Sequence, residues 1–228
     1  MLFTTSLFEV RRSRLGDVLS LYVYPWQILP ELAAHIRTLG AALPTERFKQ
    51  VGEEVWIAKT ATVAGSAEIA GPCIIDEDAA VRTGAFLRGA VMVGRGAVVG
   101  NSTELKNALL FDGVQVPHYN YVGDSVLGYK AHLGAGAVTS NVKSDRSLVV
   151  SKNGDERLET GLRKCGAMIG DRAEIGCGCV LNPGAVIGAG AQIYPLSSVR
   201  GVVPAGYIYK AADNVVKRRE HNETVIRN

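Results

Sequence analysis

The sequence predicts an all-β solenoid, a prism of short parallel strands turned at tight corners. Three observations predict it: an aliphatic residue recurs every sixth position, a small or uncharged residue follows four places after each, and glycine is abundant while aromatics are few. A helix calls for a period of 3.6 and an amphipathic strand for 2, so neither accounts for six. Low aromatic content with 26 glycines suits a narrow interior of regular cross-section.

Residues 1–54 lack the period. Within them "PELAAHIRTLGAAL" (30–43) has helical spacing at Leu32, His35, Ile36 and Leu39, continued by Leu43, and the strand-like "LSLYVYPW" precedes it. We read this segment as a small N-terminal α/β cap with one helix, covering the open end of the prism as solenoids require. The opening "MLFTTSLFEVRRSRLGD" has no basic stretch leading into an apolar core with a small-residue cleavage site, so a cytoplasmic location is expected.

Residues 55–203 carry the repeat. The aliphatics stand at Ile57, Val63, Ile69, Ile75, Val81, Leu87, Val93, Val99 and Leu105, then again at Ile169, Ile175, Leu181, Ile187, Ile193 and Val199. Four places on come Ala61, Ala67, Cys73, Ala79 and Ala85, and later Ala173, Cys179, Ala185 and Ala191. Such a period specifies the hexapeptide parallel β-helix, three hexads to a triangular coil with the aliphatics inside. About twenty hexads give roughly six to seven coils and a prism on the order of 30 Å long. Glycine and aspartate at the corners, as in "IGDRAE" and "VGRGAV", permit the angles a corner needs.

Two stretches interrupt the rhythm. Between Leu105 and Leu133 two intervals shorten to five, and "VPHYNYVGD" (116–124) places a histidine and two tyrosines there. The polar segment 142–166 carries no hexad and is expected to leave the prism as a loop, on the face where solenoids often bind. Residues 204–228 form a C-terminal arm, in which "NVVKRREHNETVIRN" is expected to be a short helix or arm with its basic run solvated.

A net charge of +3 is too modest for nucleic acid but suits anionic small molecules, and no apolar run is long enough for a membrane span. The four cysteines Cys73, Cys165, Cys177 and Cys179 are expected to be reduced, and one C-x-C is too sparse for a zinc site. With only His35, His118, His132 and His221 available, a three-histidine metal centre is not expected. The residues that break the pattern are the candidates for chemistry. Eighteen-residue coils would stack Arg88 and Lys106 on one side of the prism, where two cations repel unless an anion such as phosphate lies beside them. The plain alternative is a pair of solvated corner residues.

The stretch "GNSTELKNALLFDGVQVPHYNYVGDSVLGYKAHLGAGAVTSN" (100–141) resembles the acetyltransferase half of the bifunctional glucosamine-1-phosphate acetyltransferase/N-acetylglucosamine-1-phosphate uridyltransferases. It is closer still to archaeal sugar-1-phosphate nucleotidylyltransferases with a hexapeptide-repeat domain. The N-E-K spacing, the "HxxYxGD" and the "GAG…N" stand in the same order, and the likeness covers roughly residues 55–210. It implies a left-handed β-helix in a homotrimer, with sites between subunits, and acyl transfer from acetyl-CoA as co-substrate with no metal. It implies His118 as general base with Glu104 beside it, and Arg88 and Lys106 on the sugar phosphate. Tyr121 and Asn141 would be further substrate contacts, and His132, standing where the family has asparagine, a substrate contact of altered preference or a surface residue. On the acetyl-CoA side it implies Ala135 and Lys210, with Cys177 and Pro195 where the family offers Ser and Ala. The longer loop leaves the family's substrate-binding lysine without a clear match, and Lys143 is the nearest residue to offer.

These readings converge on an N-acetyltransferase acting on an amino-sugar 1-phosphate. An imidazole can take the proton that a sugar amine must lose when it attacks a thioester. Alternatives are another small acceptor, or a trimeric sugar-phosphate binder that has lost catalysis. Residues 1–54 hold no Gly-rich nucleotide loop of the "GxGTRM…PK" kind, so uridyltransferase activity is not expected of this chain.

Overall fold

A computed structural model describes residues 2–218. The repeat forms a parallel β-helix with three faces. On the first face eight strands stack in register: Val55–Ala58, Cys73–Ile75, Val91–Val93, the ends of Glu104–Leu110 and Tyr121–Leu127, Ala167–Ile169, Ala185–Ile187 and Val202–Val203. That is one or two coils more than the hexad count suggested, because the irregular stretch 105–133 is itself coiled into the prism. The second face runs from Thr62–Val63 to Tyr207–Ala211, and the third from Glu68–Ala70 to Ser198–Val199. The inward aliphatics Ile75, Leu87, Val99, Leu105, Val122, Leu133 and Leu181 are fully buried.

The shortened intervals fall elsewhere than on the histidine. The corner from Val116 to Val122, which carries His118, keeps the six-residue spacing. The lost residues are at Lys106–Asn107 and Gly123–Asp124, where third-face and first-face strands run on as single seven-residue strands, Glu104–Leu110 and Tyr121–Leu127. Register steps there by 17 rather than 18: Lys106 pairs with Gly123, and Leu110 with Leu127. The tight corners put Asn107 and Asp124 in the left-handed region, at φ 48° and 47°, where Asn and Asp are the best-tolerated side chains after glycine.

The N-terminal segment does not cover the open end. The end-coil residues Ile57, Val63 and Ile69 stay only partly buried. The helix Leu32–Ala41 instead lies along the first face against Cys73–Ile75, Val91–Val93 and Glu104–Leu110. The cause is the outward side of that face, where Ile74, Met92, Leu109 and Val126 would otherwise meet water; all four are fully buried. "LSLYVYPW" forms no strand: it is the end of the short helix Gly16–Leu19, a turn and a 3-10 helix at Pro25–Ile28. The segment's one strand is Phe48–Gly52, antiparallel to Val55–Ala58.

Ion pairs and backbone contacts fix this layer at a prism edge. Arg14 Nε donates to Asp76 at 2.7 Å, and Arg14, Arg47 and Arg95 converge on Glu77. Farther along, the buried Asp171 accepts from the backbone N–H of Glu9 at 2.6 Å and of Tyr129 at 2.7 Å. Burial pushes the Asp171 carboxyl up from its ordinary range.

The inserted segment leaves after Asn141 as expected, and it contains a hairpin, Val150–Asn153 with Glu156–Glu159. The described part of the C-terminal arm is a second hairpin: Tyr207–Ala211 completes the second face and Asn214–Lys217 folds back on it. Tyr209 occupies the inward position of that last strand, its ring closing the end of the prism. Residues 219–228, with Arg219 of the basic run and His221, lie outside the described residues.

Candidate active site

The edge between the second and third faces is a ladder of identical turns. In each, the second turn residue takes positive φ: Ser102, Tyr119, Gly136, Gly178 and Leu196, at φ 53°, 50°, 70°, 67° and 61°. The residues just before them are Asn101, His118, Ala135, Cys177 and Pro195, so four of the sequence candidates hold one turn position in four successive coils. Backbone bonds set the stack: Tyr119 N to Asn101 O at 2.9 Å, Gly136 N to His118 O at 3.0 Å, Gly178 N to Ala135 O at 2.8 Å, and Leu196 N to Cys177 O at 2.9 Å. His118, Ala135, Cys177 and Pro195 are all exposed. Inter-strand steps of ~4.8 Å make the column from His118 to Pro195 about 14 Å long. Lys210 sits beside its far end, its Nζ 5.8 Å from the Tyr194 ring.

The His118 turn is held from inside. The Asn120 side chain is buried and donates to Gly134 O at 2.8 Å and Ala137 O at 3.0 Å, while its Oδ1 accepts from the His118 N–H at 3.1 Å. The backbone of His118 is thus pinned while its ring projects outward with no hydrogen bond to any described residue.

The third face carries the polar candidates. Glu104 and Tyr121 start its adjacent strands, paired in register, and Arg88 and Lys106 stand at the opposite end. Arg88 Nη1 donates to Glu104 Oε1 at 2.6 Å, and Lys106 Nζ to Asp124 Oδ2 at 3.3 Å. Each cation therefore already has a carboxylate, and their stacking does not by itself call for a phosphate. Glu104 is likewise engaged by Arg88 and makes no hydrogen bond to His118.

Asp124 is the centre that the sequence reading passed over. Only 3% exposed, it accepts from Lys106, from Asn107 Nδ2 at 2.9 Å and from Asn141 Nδ2. Asn141 also reaches the Tyr121 hydroxyl at 3.3 Å. Burial, then the charge of Asp124, raises the Tyr121 phenol above its ordinary value, which keeps it a neutral hydrogen-bonding group. Gly123 makes room for this network, since a Cβ there would stand 2.5 Å from the Tyr121 hydroxyl. The signals were present as the final Gly-Asp of "VPHYNYVGD" and the five-residue interval.

Two sequence candidates stand apart. His132 lies on the second face, three residues or about 10 Å short of the turn column, and its Nδ1 meets Glu174 Oε2 at 2.8 Å. Lys143 lies in the inserted segment, bonded to Ser147 and 3.4 Å from Asp145. Cys73 and Cys165 are sealed in the interior with thiols pushed up to about 12 by burial, whereas Cys177 is exposed. No disulfide joins them, and among the described residues no cluster of three or more His, Cys, Asp or Glu could hold a metal ion.

Fold and site together define a hexapeptide-repeat β-helix with a polar third face and a turn column along its edge. The model of the GMPPB C-terminal domain matches residues 69–153. The bifunctional sugar-1-phosphate nucleotidylyltransferase/acetyltransferase of Sulfurisphaera tokodaii is 32% identical over 65% of this chain and 41% of its own length. The bifunctional protein GlmU of Methanococcus maripaludis is 30% identical over 54% of this chain and 30% of its own length. A solved structure of a variant of AntD, an N-acyltransferase from Bacillus cereus, in complex with dTDP and coenzyme A, covers 77% of this chain and 92% of its own, at 17% identity and a TM-score of 0.39. The chain is a homologue of the bifunctional sugar-1-phosphate nucleotidylyltransferase/acetyltransferases, and spans less than half the length of these two curated relatives.

Proposed function

We propose that this chain is an acyl-CoA-dependent N-acetyltransferase whose acceptor is an amino-sugar 1-phosphate or a closely related amino sugar. The observation that carries it is the turn column. It sets an exposed, unpartnered imidazole one coil from the stacked Ala135, Cys177 and Pro195 turns, beside a face that offers Glu104, Lys106, Tyr121 and Asn141. The Sulfurisphaera tokodaii relative supports the reading, because its name joins sugar-1-phosphate chemistry with acetyl transfer.

In this reading the acyl donor lies along the turns, held by backbone groups and by Lys210, and the acceptor lies on the third face. The acceptor nitrogen attacks the thioester carbonyl, the C–S bond breaks, and His118 takes the proton that the nitrogen loses. The proton can then pass to the departing thiolate, so charge balances without a metal. Tyr121 and Asn141 orient the sugar hydroxyls. The phosphate would take over the guanidinium of Arg88 and the ammonium of Lys106 from Glu104 and Asp124. A homotrimer, with the site completed by a second copy, and a cytoplasmic setting belong to the same proposal. Among the described residues no helix is long and apolar enough to cross a membrane.

The existing pairing of both cations favours one second reading, an acceptor that carries no 1-phosphate. The experiment is release of free CoA from acetyl-CoA with glucosamine 1-phosphate, run beside His118→Ala. Turnover that falls by about 10²-fold or more in the variant is the expected result. Absence of turnover together with absence of acetyl-CoA binding would overturn the proposal. Turnover only with acceptors lacking the phosphate would select the second reading.

A further inference from the structure

The inserted segment builds a cationic cavity against the prism. Its volume is about 200 Å³, and Lys143, Lys152, Arg157 and Arg200 line it together with Asn182 and Pro183. A shallower opening of about 300 Å³ adjoins it and shares Lys143, Asn182, Pro183 and Arg200. Among the described residues the only acidic one lining either space is Asp145, which lies in the opening and is bonded by the Ser147 backbone and hydroxyl.

The arrangement concentrates like charge. Lys152 and Arg157 are directly opposed in the hairpin ladder, a cross-strand placement that like charges disfavour. The hairpin is also seated tightly on the corner that holds Arg200: a Cβ on Gly201 would stand 2.6 Å from the Lys152 carbonyl oxygen. Backbone packing thus fixes Arg200 beside the two hairpin cations. Among the described residues none of the three has a carboxylate within salt-bridge distance, in contrast to Arg88 and Lys106. Lys143 alone is shared, at 3.4 Å from Asp145.

The cationic cavity stands off from Lys106 of the acceptor face, although the adjoining opening, lined by Ser140 and Val142, comes up to Asn141. Arg200 stacks on Asn182, Asn182 on Ser140, Ser140 on Gly123 and Gly123 on Lys106 along one edge, four inter-strand steps or about 19 Å.

We infer that this cavity is an anion site for the diphosphate group of a small phosphorylated ligand. Two guanidinium groups present planar forks that match phosphate oxygens, and two lysines add point charges. A diphosphate would occupy the cavity, and a nucleoside attached to it would lie in the adjoining opening. The inference does not depend on the acetyltransferase reading.

The test is calorimetric titration of the full chain with inorganic pyrophosphate, beside Arg157→Gln, Arg200→Gln and, as control for general charge, Lys59→Gln on a remote corner. Thermal melting of each variant checks that it folds; Arg157 is on an exposed hairpin. Binding by the unaltered chain, weakened about tenfold in each arginine variant and unchanged in Lys59→Gln, is expected. No binding, equal binding by the arginine variants, or equal weakening in Lys59→Gln overturns the inference. Displacement of pyrophosphate by a nucleoside diphosphate or by CoA supports the site and names the source of the anion. Displacement by neither, at concentrations above those that saturate pyrophosphate, overturns the assignment to a larger ligand.

Discussion

The first and third faces of the prism are built from the same repeat and do opposite things. On the first face the outward positions are Ile74, Met92, Leu109, Val126 and Met168, and every one is buried beneath another layer of chain. On the third face the outward positions include Arg88, Glu104, Lys106 and Tyr121, which are exposed or half-buried. The inward residues barely differ. A solenoid therefore separates stability from chemistry by face: what points in sets the coil, and what points out decides whether the face is a second core or a site.

The sharpest way to break this comparison is to hollow out the first face. Leu109 is fully buried between its own strand and the helix Leu32–Ala41, so Leu109→Ala removes a side chain that the rigid ladder cannot replace. The expected cost is about 3 kcal/mol, within the range for buried leucine truncation. Denaturant unfolding measures it, and acetyl-CoA turnover per folded molecule is expected to stay unchanged. A cost below about 1 kcal/mol would mean that the layer over this face is not a true second core.

Asp124 tests the boundary between the two faces, since it sits at the corner where the third becomes the first. Asp124→Ala leaves Lys106, Asn107 and Asn141 without their common acceptor. A loss of about 1–2 kcal/mol is expected from the part-buried donors left without their acceptor. Activity should fall as well, because Asn141 and Tyr121 lose their anchor. If stability falls and kcat/KM per folded molecule does not, the network is structural only.

The same division governs what is legible in the sequence. Inward positions announce themselves, because an aliphatic every six residues has one physical explanation, and the turn column follows once the coils are stacked. The layer over the first face also left a trace: runs such as "CII", "VMV" and "ALL" are apolar on both sides, the mark of strands covered twice. That trace points to the first face, rather than the open end, as the seat of the N-terminal layer. The role of Asp124 and the pairing of Arg88 with Glu104 could not be read this way. The first depends on a one-residue register shift at each of two corners, which the shortened intervals mark without showing which side chains it brings together; the second is a diagonal contact between neighbouring strands, Glu104 standing level with Phe86.

The smallest expected effect is also the most discriminating. Arg88 and Glu104 form an exposed pair, their side chains 46% and 33% accessible, and the carboxylate further raises the already high pKa of the guanidinium. Solvent screens such a pair almost completely, so Arg88→Gln is expected to leave the melting temperature within about 2 °C of the unaltered chain. If Arg88 exchanges Glu104 for the phosphate of the acceptor, the same substitution should raise KM for glucosamine 1-phosphate about tenfold, with little change for an acceptor lacking phosphate. Equal kinetics for both acceptors would leave the pair as a surface contact, and the third face would then owe its selectivity to Tyr121, Asn141 and Lys106. A stability loss comparable to that of Leu109→Ala would contradict the separation of roles between the two faces, because it would make an outward residue of the third face part of the core.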